Sequence, residues 1–253
     1  MDGEIVTVAT HKQGLFEGLI NNKFNENVKV LGFGQKWTGF KMKVELIYEY
    51  IQDLPDDNII LFLDGFDSTI NGTLEEAIKI FKTKDCKILF SNDSSSDFLI
   101  PGVANLVFPN YEDGVIINSG MYIGYVKFLK ILFKEHLKES CNDDQVVINR
   151  ISKDFDFIKV DLDESIFKNI IFYKTLEEGM KDSNALYFSQ PCTLSLNRLR
   201  RIPFEYGQYL FPYILLIYFS SIILLCKQEK YNYMLLLSIF LSLFYYKMDK
   251  SDL

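Results

Sequence analysis

The sequence predicts an α/β fold built on an open sheet, followed by apolar C-terminal helices. Three observations carry this. Strand-like apolar runs alternate with helix-period segments over residues 5–91. One of those runs, "IILFL" (59–63), is apolar at every position, as a strand buried on both faces of a sheet must be. The tail then changes composition abruptly, with uncharged spans at 209–226 and 231–246.

The elements follow in order. "IVTVAT" (5–10) reads as a short strand. "GLFEGLINNKF" (14–24) has helical spacing, with Leu15, Leu19 and Ile20 on one side. "VKVLGFG" (28–34) is a second strand that ends in glycines. "KMKVELIYEYIQDL" (41–54) is a helix whose stripe is Val44, Ile47, Tyr48 and Ile51, and "LPDDN" supplies the turn that stops it. After the strand at 59–63, "TLEEAIKIFKT" (73–83) predicts a helix with Thr73 as N-cap and Glu76 closing a capping box. "CKILFS" (86–91) is the next strand. Regularity fades from residue 92, through a stretch rich in serine and proline. "GVIINSGMYIGY" (114–125) predicts two short strands around an Asn118-Ser119-Gly120 turn. "VKFLKILFKEHLKES" (126–140) and "CNDDQVVINRIS" (141–152) predict helices, with His136 on a solvated face of the first. "FDFIKVD" (155–161) and "KNIIFY" (168–173) read as late strands.

The totals exclude some functions. Hydrophobic residues make up 48% of the 253, enough for a packed core, and the net charge of -7 argues against a nucleic-acid binder. Four cysteines without a CxxC pair, and two histidines distant from them, do not space a zinc site. Free thiols fit a reducing compartment. The two tail spans predict a membrane hairpin over 204–253, behind a domain over 1–203. Its aromatic-rich ends suit membrane interfaces, and the flanking basic residues place the domain on the cytoplasmic side. "MDGEIVTVAT" has no leader-like pattern and leads to the same expectation.

The chemistry concentrates where strand 59–63 ends, on Asp64 and Asp67. Ligands of open α/β sheets lie beyond the carboxyl ends of strands. Two hard oxygen donors there suit Mg²⁺ or Mn²⁺ holding a substrate phosphate. Asn118 sits in a small polar stretch that permits close approach by a sugar. Asp143 and Asp144 open a helix, where acids are favoured electrostatically and can also face sugar hydroxyls or a developing positive charge. His11 reads as a surface residue.

"TVAT" (7–10), "LGFGQKW" (31–37), "MKVELI" (42–47), "ILFLDGFD" (60–67), "ILFS" (88–91), "INSGMYIGY" (117–125), "DDQ" (143–145) and "IFKNI" (166–170) occur in that order. The series resembles the glycosyltransferase domain of animal lysyl hydroxylases and, more distantly, procollagen galactosyltransferases, over residues 5–190. The resemblance implies a GT-A-like mixed sheet with a Rossmann-like nucleotide-binding half, a UDP-sugar donor and Mn²⁺. It implies Asp64 and Asp67 as metal ligands. Thr7, Thr10, Trp37, Lys43 and Phe66 fall near the nucleotide, and Asn118, Asp143 and Asp144 near the donor sugar and acceptor. Two departures stand out. The family's third metal ligand, a histidine, falls in "LYFSQPC" (186–192), where this chain has Ser189 or Gln190. Met121 also replaces a small residue.

The reading is a metal-dependent, membrane-associated hexosyltransferase that acts on a protein or lipid hydroxyl, hydroxylysine among them. The alternative is a membrane-anchored module that binds a nucleotide sugar without turnover.

Overall fold

The structure is a computed structural model that describes residues 3–93, 114–170, 175–181 and 183–190. The apolar spans at 209–226 and 231–246, and the 203/204 boundary, lie outside the described residues. Among the described residues no helix is long and apolar enough to cross a membrane.

The strands are β1 (Gly3–Val8), β2 (Val28–Leu31), β3 (Ile59–Leu63), β4 (Ser68–Ile70), β5 (Ile88–Asn92), β6 (Ile117–Tyr125), β7 (Ile158–Asp161), β8 (Phe167–Asn169) and β9 (Tyr187–Ser189). The helices are α1 (Phe16–Ile20), α2 (Phe40–Ile51), α3 (Leu74–Phe81), α4 (Val126–His136), α5 (Asp144–Ile151) and α6 (Leu176–Lys181). Six strands form one sheet in the order β2-β1-β3-β6-β5-β7, and a smaller sheet runs β4-β9-β8. β1 is parallel to both β2 and β3, whereas β6 is antiparallel to β3 and β5, so the large sheet is mixed.

All five residues of β3 are buried. Successive side chains of a strand point to opposite faces, so β3 serves two cores. Ile60 and Phe62 join α2, α4 and α5 on one face. Ile59, Leu61 and Leu63 join Leu19, Ala77 and Phe81 from α1 and α3 on the other. Each such side chain, fully buried, contributes roughly 1.5–3 kcal/mol. The capping box on α3 forms as its sequence requires: Thr73 Oγ1 accepts from the Glu76 N–H, and the Glu76 carboxylate accepts from the Thr73 N–H.

Four elements correct the sequence reading. The helix expected over 14–24 is confined to Phe16–Ile20. Residues 117–125 form one nine-residue strand instead of two around a turn. Its register against β5 jumps from Phe90↔Tyr122 to Ser91↔Asn118, which leaves Ser119, Gly120 and Met121 as a bulge inside the strand. The polar residues are tolerated there because their groups are bonded: Asn118 Oδ1 accepts from the Gly120 N–H at 2.7 Å. His136 is fully buried, not solvated. The short strands β4 and β9 carry no periodic signal, and they form by pairing with each other across more than a hundred residues of chain.

Candidate functional site

β3 and the β6 bulge together place the acids. The Asp64 N–H donates to the Gly120 carbonyl at 2.8 Å, which continues the β3–β6 ladder past Leu63. A Cβ on Gly120 would lie 2.6 Å from Asp64 Oδ2 and 2.9 Å from Asn118 Oδ1. The bulge therefore needs glycine to leave that side of the carboxylate open. Gly65 is confined in the same way, with Val8 O 2.8 Å from where its Cβ would stand. Asp67 sits at the start of the small sheet. Its Oδ1 accepts from Ser189 Oγ at 3.3 Å, and its carbonyl accepts from the Gln190 N–H at 2.8 Å. Ser189 and Gln190, which fall where the resemblance implies a histidine, are thus beside the second acid.

Lys43 connects the two acidic regions. Its Nζ lies 3.1 Å from Asp64 Oδ1 and 2.6 Å from Asp144 Oδ2, with the lysine and Asp144 side chains only 8% and 6% exposed. Burial works to lower the lysine's pKa. Asp144 and then Asp64 overcome that, and the net shift is upward. Asp143 is the N-cap of α5 and accepts from the Val146 N–H at 3.0 Å. α5 is itself pinned to β6 by Asn149, which accepts from the Ile117 N–H at 2.8 Å and donates to the Ile117 carbonyl at 2.9 Å. This bond pair fixes where Asp143 and Asp144 stand.

Asn118 is buried, and its Nδ2 donates to Asp93 Oδ1 at 3.4 Å, while Gln145 Nε2 donates to Asp93 Oδ2 at 2.8 Å. Asp93 therefore ties Asn118 to the start of α5. The sequence reading missed it because its contacts lie far away in the chain. Thr7 is fully buried and its hydroxyl donates to the Leu63 carbonyl at 2.6 Å, so that group is used inside the sheet. Thr10 is buried beside His11, Oγ1 to Nδ1 2.9 Å, and the exposed His11 ring lies 5.1 Å from that of Phe66. Trp37 is 41% exposed and edge-on to Phe40. Its loop is fixed to β1 by the Gly34 N–H, which donates to the Thr10 carbonyl at 2.9 Å, with Gly34 at φ 82°. Thr10, Phe66 and Trp37 are thus carried on loops at the carboxyl ends of β1, β3 and β2, and Lys43, Asp64, Asp144 and Asn118 cluster around the β6 bulge.

The donor set of Asp64 and Asp67 is all oxygen, so these residues fit a hard divalent cation shared with a diphosphate. Among the described residues no three His, Cys, Asp or Glu side chains converge.

Two groups near Lys43, the half-buried Asp143 and the buried His136, titrate in opposite senses. Burial, then the Asp144 charge, pushes Asp143 up to about 6. Burial pushes His136 down to about 4, against the nearby Asp144 charge and backbone, with Lys41 and Lys43 lowering it further. Neither His136 nitrogen makes a well-formed hydrogen bond among the described residues. A raised carboxyl binds its proton more tightly folded than unfolded, so its contribution is lost as pH rises from about 4 to about 6. A depressed imidazole contributes stability that is lost as pH falls from about 6.5 to about 4. The two contributions offset each other. Asp143→Asn keeps a capping side chain and removes one of them. The stability of the unsubstituted protein relative to this variant is expected to fall by about 2–3 kcal/mol between pH 4 and pH 6. Urea unfolding across that range checks this, and parallel curves would refute it.

The family model and the curated relatives point to one family. A family model described as the PLOD GT domain matches residues 2–210. Among curated proteins, the chain is similar to procollagen-lysine,2-oxoglutarate 5-dioxygenase 2 of Mus musculus, 32% identical over 162 residues, 58% of this chain and 21% of that one. It is 27% identical to the procollagen-lysine,2-oxoglutarate 5-dioxygenase of Drosophila melanogaster over 255 residues, 89% of this chain and 34% of the relative. It is 26% identical to the multifunctional procollagen lysine hydroxylase and glycosyltransferase of Caenorhabditis elegans, over 81% of this chain and 32% of that one. The chain thus spans about a third or less of the length of these relatives. Among solved structures it is similar to the galactosyltransferase LgtC in complex with donor and acceptor sugar analogs, with TM-score 0.42 and 12% identity, covering 75% of this chain and 87% of that one.

Proposed function

Because the chain belongs to the PLOD GT domain family, we propose that it transfers a hexose from a UDP-sugar to a hydroxyl acceptor with the help of a divalent metal. The observation that carries the reading is the cluster at the carboxyl end of β3, where Lys43 bridges Asp64 and Asp144 and glycine at 120 avoids a collision with the Asp64 carboxylate. Asp64 and Asp67 would hold Mn²⁺ or Mg²⁺ against the donor's diphosphate. A bound divalent ion supplies charge that stabilises a departing diphosphate. Lys43 fixes the Asp64 carboxylate from the protein side. Phe66, Thr10 and Trp37 offer an aromatic and polar surface for the nucleotide. Asn118, Asp143 and Asp144 face the donor sugar and acceptor, where acids bind hydroxyls and lower the cost of developing positive charge.

The relatives' names concern procollagen lysine, so a hydroxylysine-bearing peptide is the first acceptor to try. The uncharged spans at 209–226 and 231–246 support a domain held at a membrane, on its cytoplasmic side. The test is UDP release by the full chain from a panel of UDP-sugars, with Mn²⁺, with Mg²⁺ and with chelator, with and without the acceptor. Metal-dependent release is the expected result. Ser189, beside Asp67 where the resemblance implies a histidine, favours a second reading, a binding module without turnover. UDP binding with no release from any donor, acceptor present, would decide for it.

A further inference from the structure

Tyr122 lies beneath the Lys43 bridge. Its ring stacks on Phe62 at 4.9 Å and 18°, and Phe90 and Phe133 lie 5.2 and 5.8 Å away. Packing of this kind needs only a phenyl ring. The hydroxyl is a different matter. The residue is 3% exposed, and its oxygen has no hydrogen-bond partner among the described residues. Leaving a hydroxyl unpaired in a low-dielectric interior costs roughly 1–3 kcal/mol, so a buried tyrosine at a position that a phenylalanine fills equally well calls for a polar partner.

One cavity brings polar groups to that hydroxyl. Tyr122, Lys43, Ser119 and Asp144 line one small cavity, about 10 Å³, whose other walls are apolar side chains such as Phe90 and Phe133. Asp144 Oδ2 faces Lys43 as an ion pair but makes no well-formed hydrogen bond among the described residues. A space of that size accommodates one water, and a buried water needs two to four polar partners. The cavity supplies them: a phenol that can donate or accept, a carboxylate that accepts and an ammonium that donates.

We infer that Tyr122 is a positioning residue for Asp144, acting through one buried water that its hydroxyl shares with the Asp144 carboxylate beside Lys43. The phenol and the water then complete the hydrogen bonding of a carboxylate oxygen that is also paired with Lys43. They fix its rotation in the cleft. The catalytic consequence rests on the proposed function, in which Asp144 faces the donor sugar. The bridge itself does not.

The experiment is Tyr122→Phe in the full chain, which keeps the ring and its stacking and removes only the oxygen. Crystal structures of both proteins at a resolution that orders waters form the first arm. The expected result is a water within about 2.7–3.2 Å of both Tyr122 Oη and an Asp144 oxygen, lost in Tyr122→Phe together with a rotation of the Asp144 carboxylate. A dry cavity in the unsubstituted protein overturns the inference, and so does an Asp144 that keeps its place in the variant. The second arm is turnover. The variant is expected to lose roughly tenfold in kcat, with UDP affinity measured with Mn²⁺ unchanged and an acid limb displaced along the pH axis. An unchanged kcat and pH profile overturns the positioning role. If the unsubstituted protein turns over no UDP-sugar, the proposed function fails and the crystallographic arm still decides the bridge.

Discussion

Asp64→Ala and Asp67→Ala are each expected to abolish metal-dependent UDP release, a loss of at least about 100-fold. The size follows from a comparison. Removing a group that merely orients a metal ligand typically costs 10–100-fold in metal affinity or activity, and on the proposed function each of these variants removes a ligand itself. The two variants differ in what else they disturb. Asp64 also accepts from Lys43 at 3.1 Å, so its loss weakens a buried ion-pair network. Asp67 accepts a long hydroxyl bond at 3.3 Å from Ser189, and its loss leaves the core of the large sheet untouched. If Asp67→Ala stays folded and silent, the defect is chemical. Gly120→Ala gives a third arm with both carboxylates present. The new methyl would meet Asp64 Oδ2 at 2.6 Å. That atom ends a side chain and can swing away, so the fold survives while the carboxylate turns from the metal position. Circular dichroism, UDP release and Mn²⁺ titration read these effects together. Full activity in either aspartate variant would remove the pair from the mechanism.

These aspartates were legible in the sequence because the strand before them is apolar at every position. A uniform run that stops abruptly on carboxylates marks a buried strand reaching the sheet's edge, and Ile59–Leu63 does so. The capping box at Thr73 was legible because it is local. β6 was not. Alternation along a strand is a signal only where one face is wet, and all but the last of its residues are buried. Asn118, Ser119 and Gly120 then imitate a turn, since the bonds that allow them inside a sheet reach Asp93 and the bulge itself. The same reason hid Tyr122 and Asp93. A buried polar group's partner is chosen by tertiary structure, and one sequence does not print it. His136 lies inside a charged stretch, "KEHLKE", and the charged neighbours disguised a fully buried ring.

Lys43→Met is expected to destabilise the domain by roughly 3–5 kcal/mol at pH 7. Methionine keeps the length of the lysine stem, so the loss is electrostatic: the ion pairs and the Nζ contact with the Phe62 ring, 5.7 Å from its centroid. Asp144 is 5% exposed, and without Nζ at 2.6 Å it becomes a buried carboxylate lacking its cation. The sign with pH is fixed by the lysine's raised pKa, which keeps its contribution present below the ordinary lysine value near 10.4 and loses it only as pH rises through the higher folded value. The full effect is therefore available at neutral pH. Lys43→Met/Asp144→Asn should recover most of the loss, since exchanging both members of a buried pair for neutral groups is often close to neutral. Urea unfolding of the four proteins of this cycle measures the coupling directly. A Lys43→Met loss below about 1 kcal/mol, the level of an exposed pair, would mean that the bridge is screened by solvent. In that event Asp144 is held by its helix and by Tyr122 more than by Lys43. A loss of the expected size makes Lys43 the residue through which a charge change at Asp64 is felt at Asp144. One lysine spans both acids, so a cation held at Asp64 competes with it there and leaves it more fully to Asp144.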